Sequence, residues 1–233
     1  MDNRNILLKE FQDNLGLKFS ENYYFEAALT HSSYAKQKKG TKYNERLEFL
    51  GDSVLSLAVT EYIFLTYKNK KEGELTKLRA LVVCENSLYQ VALKLNLGKY
   101  ILMSRGEETT GGRSRVSILA DCTEALIAAI YIDLGLEKAR EFIMANFMET
   151  IKASAVNCIT LDYKTKLQEL VQKNKNQDIR YDLIKYDGPP HKRKFYVNVI
   201  INDTVQGHGI GLSKKEAEKN AAQEALSRYE NGE

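Results

Sequence analysis

Two short acidic segments about seventy residues apart hold the side chains best suited to chemistry. They are Glu45-Arg-Leu-Glu48-Phe-Leu-Gly-Asp52 and Ala120-Asp121-Cys-Thr-Glu124-Ala125. On a helix turning roughly 100° per residue, Glu45, Glu48 and Asp52 fall within about 60° of one another. Asp121 and Glu124 make a second such pair, on the stretch Ile118 to Ile130 that is otherwise almost wholly apolar and contains no basic residue. Carboxylates crowded on one face repel each other, and burying them unpaired is costly. A proton or a divalent cation resolves the conflict. Hard oxygen donors of this kind suit Mg²⁺, which keeps several waters and is completed by substrate phosphates. One acidic triplet alone is more often a solvated surface. The second pair is flanked by Ala125 and Ala128, on a close-packed face, and that favours a divalent-metal site shared by both segments.

Other reactive combinations are weaker. His31-Ser32-Ser33 pairs a nucleophile with a base only in sequence; adjacent residues rarely meet correctly, and no third orienting group is evident. Gly207-His-Gly-Ile-Gly211 is glycine-rich but lies in a strand pattern, so it is no phosphate loop. Cys84, Cys122 and Cys158 are too widely spaced for a zinc pattern or a disulfide framework and read as core residues. Phe49 stands some 40° from Glu45 on the wheel, away from the stripe of Leu47, Leu50 and Val54. It reads either as a second packing face or as an aromatic knob directed at a partner chain.

The elements that must position these groups are helical. Residues 1–150 show apolar positions at 3–4 spacing, as in Leu47, Leu50, Val54, Leu57 and Ala58 and in Leu88, Val91, Ala92 and Leu95, and the region lacks proline. Gly111-Gly112 marks a loop just before the second acidic helix. A change of composition around Ser154-Ala-Val-Asn-Cys158 makes residues 151–160 the expected linker. Beyond it the order is helix (Asp162 to Lys173), three strands and helix. The strands are Ile179 to Tyr186, Phe195 to Ile201 and Thr204 to Gly211, with Asn202-Asp203 as a hairpin turn. Ser213 is the expected N-cap of the last helix, Lys214 to Tyr229, supported by Glu216 at N3.

Charge is distributed unevenly. Residues 1–150 hold 20 basic and 20 acidic side chains, and residues 151–233 hold 14 and 11, so the whole net charge of +3 sits in the last third. That sets a basic module beside a balanced one with an acidic focus. Lys214, Lys215 and Lys219 stand in the first turns of the final helix, where positive charge opposes the macrodipole. Such a terminus grips phosphate well. The loop Pro190-His191-Lys192-Arg-Lys194 gives a second basic point and Gln168 a polar third. Three points on a rigid αβββα frame fit a duplex read by shape. No uncharged apolar run approaches the ~20 residues that span a bilayer, and the first residues lack a signal-peptide pattern. A cytoplasmic protein without membrane attachment is expected.

These segments together resemble bacterial ribonuclease III over nearly the full length. Glu45 to Asp52 looks like the family's signature, and Leu29-Thr-His-Ser-Ser33, Glu72-Gly-Glu-Leu-Thr-Lys-Leu-Arg79 and Ser117 to Ala125 look like its flanking motifs. Residues 161–230 resemble a double-stranded-RNA-binding domain, with Gly188-Pro-Pro-His191 and Lys214-Lys215-Glu-Ala217 in their usual places. Glu218 stands where many such domains carry a basic residue, and Lys219 follows it. The resemblance implies an all-α endonuclease domain (1–150), the linker, and an αβββα RNA-binding domain (161–230).

It implies Glu48, Asp52, Asp121 and Glu124 as catalytic carboxylates, with Glu48, Asp121 and Glu124 on the metal. Glu45 supports the site or the dimer surface, and Phe49 is the knob of a homodimer. Gln168, His191, Lys192, Lys214, Lys215 and Lys219 contact RNA. The implied activity is Mg²⁺-dependent hydrolysis of double-stranded RNA, with Mn²⁺ as a substitute. It leaves 5′-phosphate and 3′-hydroxyl ends with a short 3′ overhang and serves rRNA and mRNA precursor processing. A non-catalytic RNA-binding regulator is the alternative, but a pure binder has no need of four acids facing a polyanion.

Overall fold

The computed structural model describes residues 3–38, 40–173, 178–189 and 192–231, and at 157–162, 165, 173, 230 and 231 it describes the backbone alone. The chain divides into two compact units, Met1–Ser154 and Ala155–Glu233.

The first unit is helical throughout. Its elements are α1 (Asn3–Leu15), α2 (Asn22–Ala28), α3 (Ser32–Ala35), α4 (Glu45–Thr66), α5 (Glu72–Val82), α6 (Glu85–Lys94), α7 (Leu97–Tyr100), α8 (Arg105–Thr109), a 3₁₀ turn (Gly112–Ser114) and the start of α9 (Val116–Lys173). Gly111 (φ 83°) turns the chain ahead of α9, as its sequence suggests. Within α9 the helix breaks at Gly135, whose φ of 86° and ψ of 171° leave the helical region. One part of the core is built on small residues. Ala27, Ala28, Leu47, Ala125, Ala128 and Ala129 form one buried cluster, which lets α2, α4 and α9 approach closely. By length and composition α4 would also suit a bilayer span. Here it is a core helix, burying Leu47, Val54, Leu55, Ala58, Val59 and Ile63 while its first turns carry the acids.

The segment 151–160, expected as a linker, is helical backbone inside α9, and the boundary between the two units falls within it. It contains neither proline nor glycine, so nothing in it stops a helix. One correction concerns Cys84. It is exposed rather than core, because it is the N-cap of α6 and so lies outside the helix's packed face; its Sγ donates to the Leu81 carbonyl at 3.3 Å. Cys122 is buried as expected.

In the second unit the strands β1 (Ile179–Asp187), β2 (Lys194–Ile201) and β3 (Thr204–Gly211) form an antiparallel sheet in the order β1-β2-β3. Asn202 and Asp203 both take positive φ, 48° and 59°, as a two-residue hairpin turn requires. Val197, Val199 and Ile201 of β2 meet Leu167 and Val171 of α9 and a run of alanines on α10 (Lys214–Asn231). The N-terminus of α10 is capped as its sequence predicts. The Ser213 hydroxyl accepts the Glu216 N–H at 3.1 Å, and the Glu216 carboxylate accepts the Leu212 N–H at 2.7 Å.

Candidate active site

The first turns of α4 carry Glu45 and Glu48, where carboxylates favour the helix dipole, and Asp52 follows one turn later. On α9 Asp121 and Glu124 are half-buried, while Ala120, Cys122, Thr123 and Ala125 around them are fully buried. What joins the two helices is Gly51. A Cβ placed there would lie 1.9 Å from the Glu124 carbonyl oxygen, so α4 and α9 touch backbone to backbone at this point. The crossing sets Glu124 among the acids on either side of Gly51.

The crowding of these acids shows in their electrostatics. Burial pushes the Glu124 carboxyl up to about 8, helped by Asp52, Glu48 and Asp121 in turn. Asp121 is raised by burial and then by Glu85, while the His31 imidazole acts in the opposite direction. Glu48 is raised by burial, then by Asp121 and Glu45. The four acids chosen from sequence therefore act on one another. Among the described residues none of them has an ion-pair partner. Nor, among those residues, do any three His, Cys, Asp or Glu side chains already form a metal-holding group. The acids are gathered within Coulombic reach without closing on a common point. Clustered oxygen donors without a cationic side chain to compensate them are the donor set that suits a hard divalent cation.

Phe49 is 79% exposed, so it is no packing face of its own unit. It shares the outer face of α4 with Leu57 and Phe64, which are also exposed. In the second unit Gln168, Lys192, Lys214 and Lys215 are exposed and Lys219 is half-buried; His191 lies outside the described residues. Glu218 is occupied internally. Its carboxylate accepts from Lys164 at 2.7 Å and stands 4.0 Å from the Lys214 ammonium, and Lys164 also lies over the Tyr181 ring.

Sequence reasoning missed three participants: Gly51, Glu85 and His31. A glycine inside an otherwise good helix, between Glu48 and Asp52, was the available signal for the first. The other two reach Asp121 only through tertiary structure.

An all-helical unit centred on clustered acids, followed by an αβββα unit with lysines at a helix N-terminus, defines a nuclease joined to a duplex-RNA-binding module. Known proteins carry the same two parts. Residues 21–151 match the family described as Ribonuclease-III-like, and residues 163–229 match the double-stranded RNA binding motif. The chain is 59% identical to Ribonuclease 3 of Clostridium kluyveri over 94% of its own length and 90% of that protein. It is 57% identical to Ribonuclease 3 of Clostridium tetani over 98% and 97%. Among solved structures it is similar to the nuclease domain of ribonuclease III from Campylobacter jejuni, at 44% identity and a TM-score of 0.56, covering 60% of this chain and 98% of that one. The chain belongs to the ribonuclease III family. It is an endonuclease of double-stranded RNA.

Proposed function

We propose that Glu48, Asp121 and Glu124 hold Mg²⁺, with Mn²⁺ as a substitute, and that Asp52 completes the catalytic set. The carrying observation is Glu124, packed over Gly51 among three other acids and, among the described residues, without an ion-pair partner. When bound there, the ion supplies a water of lowered pKa and neutralises charge on the phosphoryl group. The residues do the rest. Glu48, Asp121 and Glu124 would hold that ion with their carboxylate oxygens, at the place where the scissile phosphate is to lie. Asp52 is the exposed member, and it is placed to accept a proton from the attacking water. The lone acids also exclude a phosphodiester from the site until their charge is neutralised, which makes cleavage strictly ion-dependent.

In the same reading water attacks the scissile phosphorus and the 3′ oxygen departs, which leaves 5′-phosphate and 3′-hydroxyl ends, and a homodimer that presents two offset sites to one duplex leaves a short 3′ overhang. The exposed Phe49 supports the dimer as its knob, and Glu45 lines the same surface. The Campylobacter jejuni structure is described as flexible in a region involved in dimer formation, which fits an interface of this kind. Gln168, His191, Lys192, Lys214, Lys215 and Lys219 contact the RNA. Cytoplasmic processing of rRNA and mRNA precursors is the role.

The test is incubation of the full chain with a long RNA duplex in Mg²⁺ or in EDTA, beside Glu124→Gln. Wild-type cleavage in Mg²⁺ only, and loss of cleavage with retained binding and folding in the variant, are expected. Near-wild-type cleavage by Glu124→Gln at low Mg²⁺ would remove Glu124 from the ion site.

A further inference from the structure

The first turns of α4 have a second chemical face. Glu45, Glu48 and Asp52 share one side, and Arg46, Leu47 and Leu50 fall roughly 180° away on the other. There they line a cleft of about 260 Å³, together with Tyr23 and Tyr24 of α2 and with Lys42 and Tyr43 of the turn before α4. The floor is apolar: Leu47 belongs to the buried cluster that joins α2, α4 and α9, and Leu50 packs against it. The walls are fixed by hydrogen bonds. The Asp133 carboxylate on α9 accepts both the Ser20 N–H and the Ser20 hydroxyl at 2.7 Å, just before α2. Asn44, between Tyr43 and Glu45, donates its N–H to the Thr30 carbonyl at 3.0 Å. The cleft is thus formed before any ligand enters it.

Its lining selects the ligand. Tyr23, Tyr24 and Tyr43 are 50%, 38% and 40% exposed. Tyr23 and Tyr24 meet edge to face at 4.9 Å, an arrangement that does not stack their faces on each other. Lys42 and Arg46 are exposed as well. Among the described residues neither forms an ion pair, whereas Arg113, Arg115 and Arg140 of the same unit each do. Open rings above an apolar floor accept a flat, partly apolar group, and two uncompensated cations beside them accept an anion. A nucleotide combines the two. A paired base cannot offer its ring face, because neighbouring bases in the duplex already cover it, so the nucleotide must be unpaired.

We propose that this cleft binds one unpaired nucleotide of single-stranded RNA flanking a duplex, its base against the tyrosines and its phosphate between Lys42 and Arg46. The cleft and the acids lie on opposite faces of a helix roughly 10–12 Å across. A strand that leaves the duplex near the acids reaches the cleft around the N-terminus of α4. The site stands apart from the lysines of the RNA-binding unit and does not depend on the ion site.

The test uses two labelled duplexes of equal length, one blunt and one with a short oligouridine flank. Their binding to the full-length chain in EDTA is followed by fluorescence anisotropy. The wild type is expected to bind the flanked duplex about 5- to 100-fold more tightly, the range that one stacked base supplies. Tyr43→Ala should lose most of that preference and bind the blunt duplex as wild type does. Tyr43→Phe keeps the ring and should keep the preference. Lys42→Ala should reduce it and make the salt dependence of flanked-duplex binding shallower by about 0.7, the share of one single-strand phosphate. Lys42 is exposed, so that variant keeps the test decisive if Tyr43→Ala melts early. Equal affinity of the wild type for both duplexes, or a preference that Tyr43→Ala and Lys42→Ala leave intact, would overturn the proposal. So would equal loss of both affinities in Tyr43→Ala with a changed sedimentation rate, which assigns the cleft to contact between copies of the chain. Titration with 5′-AMP separates free nucleotide from RNA. Competition by AMP against the flanked duplex alone supports the RNA site; Tyr43-dependent AMP binding without any flank preference gives the cleft to a free nucleotide, and the RNA assignment falls.

Discussion

Glu124 and Glu218 are both partly buried glutamates on helices, one in each unit, yet their surroundings are opposite. Glu124 faces Asp52, Glu48 and Asp121, and burial among them pushes its carboxyl up to about 8. Glu218, with 17% of its side chain exposed, is met by Lys164 at 2.7 Å and by Lys214 at 4.0 Å. On the proposed reading the nuclease unit leaves its charges unresolved until a cation arrives. The RNA-binding unit settles part of its charge internally and leaves the remainder as a surplus of lysines. If these are the ion site and the RNA-contacting surface, the first is built from like charges and the second is partly neutralised in advance.

Both units use one packing device. Gly51 lets α4 touch the backbone of α9, and Gly209 on β3 lets the sheet touch α10, where a Cβ would lie 1.9 Å from the Ala217 carbonyl oxygen. Alanine at either position forces backbones apart, which costs about 1–3 kcal/mol or more. The functional results diverge. Gly51→Ala separates the two acid-bearing helices, and a displacement of ~1 Å there should lower kcat by roughly 100-fold or more, even with duplex binding intact. Gly209→Ala should melt the RNA-binding unit early and weaken duplex binding, while leaving kcat at saturating RNA and low salt within a few-fold of wild type. Equal loss of kcat in both variants would erase the division of labour between the units.

The next effect separates the units by pH. Glu124 titrates at about 8 in the folded protein against an ordinary value of 4.5. Between those values the native state holds a proton that the unfolded chain has lost, so stability falls as pH rises through this window. In EDTA the melting temperature of the nuclease unit should therefore decline from pH 5.5 to 8.5. A saturating divalent ion, binding the ionised form, should flatten or reverse the decline. In the RNA-binding unit the large shift is that of Tyr181, pushed up to about 12 by burial and by Glu218, which lies above the window. Its melting should be flat over the same range. Scanning calorimetry at three pH values with and without Mg²⁺ reads both; a nuclease-unit midpoint that rises with pH in EDTA contradicts the like-charge assignment.

Much of this was legible in sequence because it depends on local spacing. The i, i+3, i+7 acids of α4, the Asn202-Asp203 turn and the Ser213 cap each lie within a few residues, and all three appear as read. The tertiary contributions were not. The Gly51 contact depends on Glu124, seventy-three residues away, and only a helix-interior glycine hinted at it. His31 was set aside as the base of a neighbouring serine because adjacent residues rarely meet, yet its Nδ1 lies 2.8 Å from the Ser33 hydroxyl, and its backbone N–H donates to the Leu102 carbonyl at 2.9 Å. The linker was inferred from a change in composition, but Ile151 to Thr160 has no residue that breaks a helix, and α9 continues through it. Glu218 was noticed as a departure from a basic position, and its partner Lys164, fifty-four residues earlier, is visible only once α9 packs beside α10.

The smallest effect sharpens the comparison most directly. If Glu218 partly neutralises the RNA-binding surface, Glu218→Gln should free Lys214, and to a lesser degree Lys164, for phosphate. An exposed pair contributes up to about 1 kcal/mol, so duplex affinity at low salt should rise by no more than ~5-fold. The slope of log K against log salt is the more telling quantity. Each added phosphate contact steepens it by about 0.9, and Lys214→Ala should make it shallower by a similar amount. The double variant should match Lys214→Ala if Glu218 acts through Lys214, and should remain steeper than Lys214→Ala if Lys164 is the cation released. A purely structural pair would give a lower melting temperature in Glu218→Gln with an unchanged slope. That outcome would mean the lysine–glutamate contacts hold α9 against α10 and do not temper the grip on RNA, and the contrast between the two glutamates would then be one of stability alone.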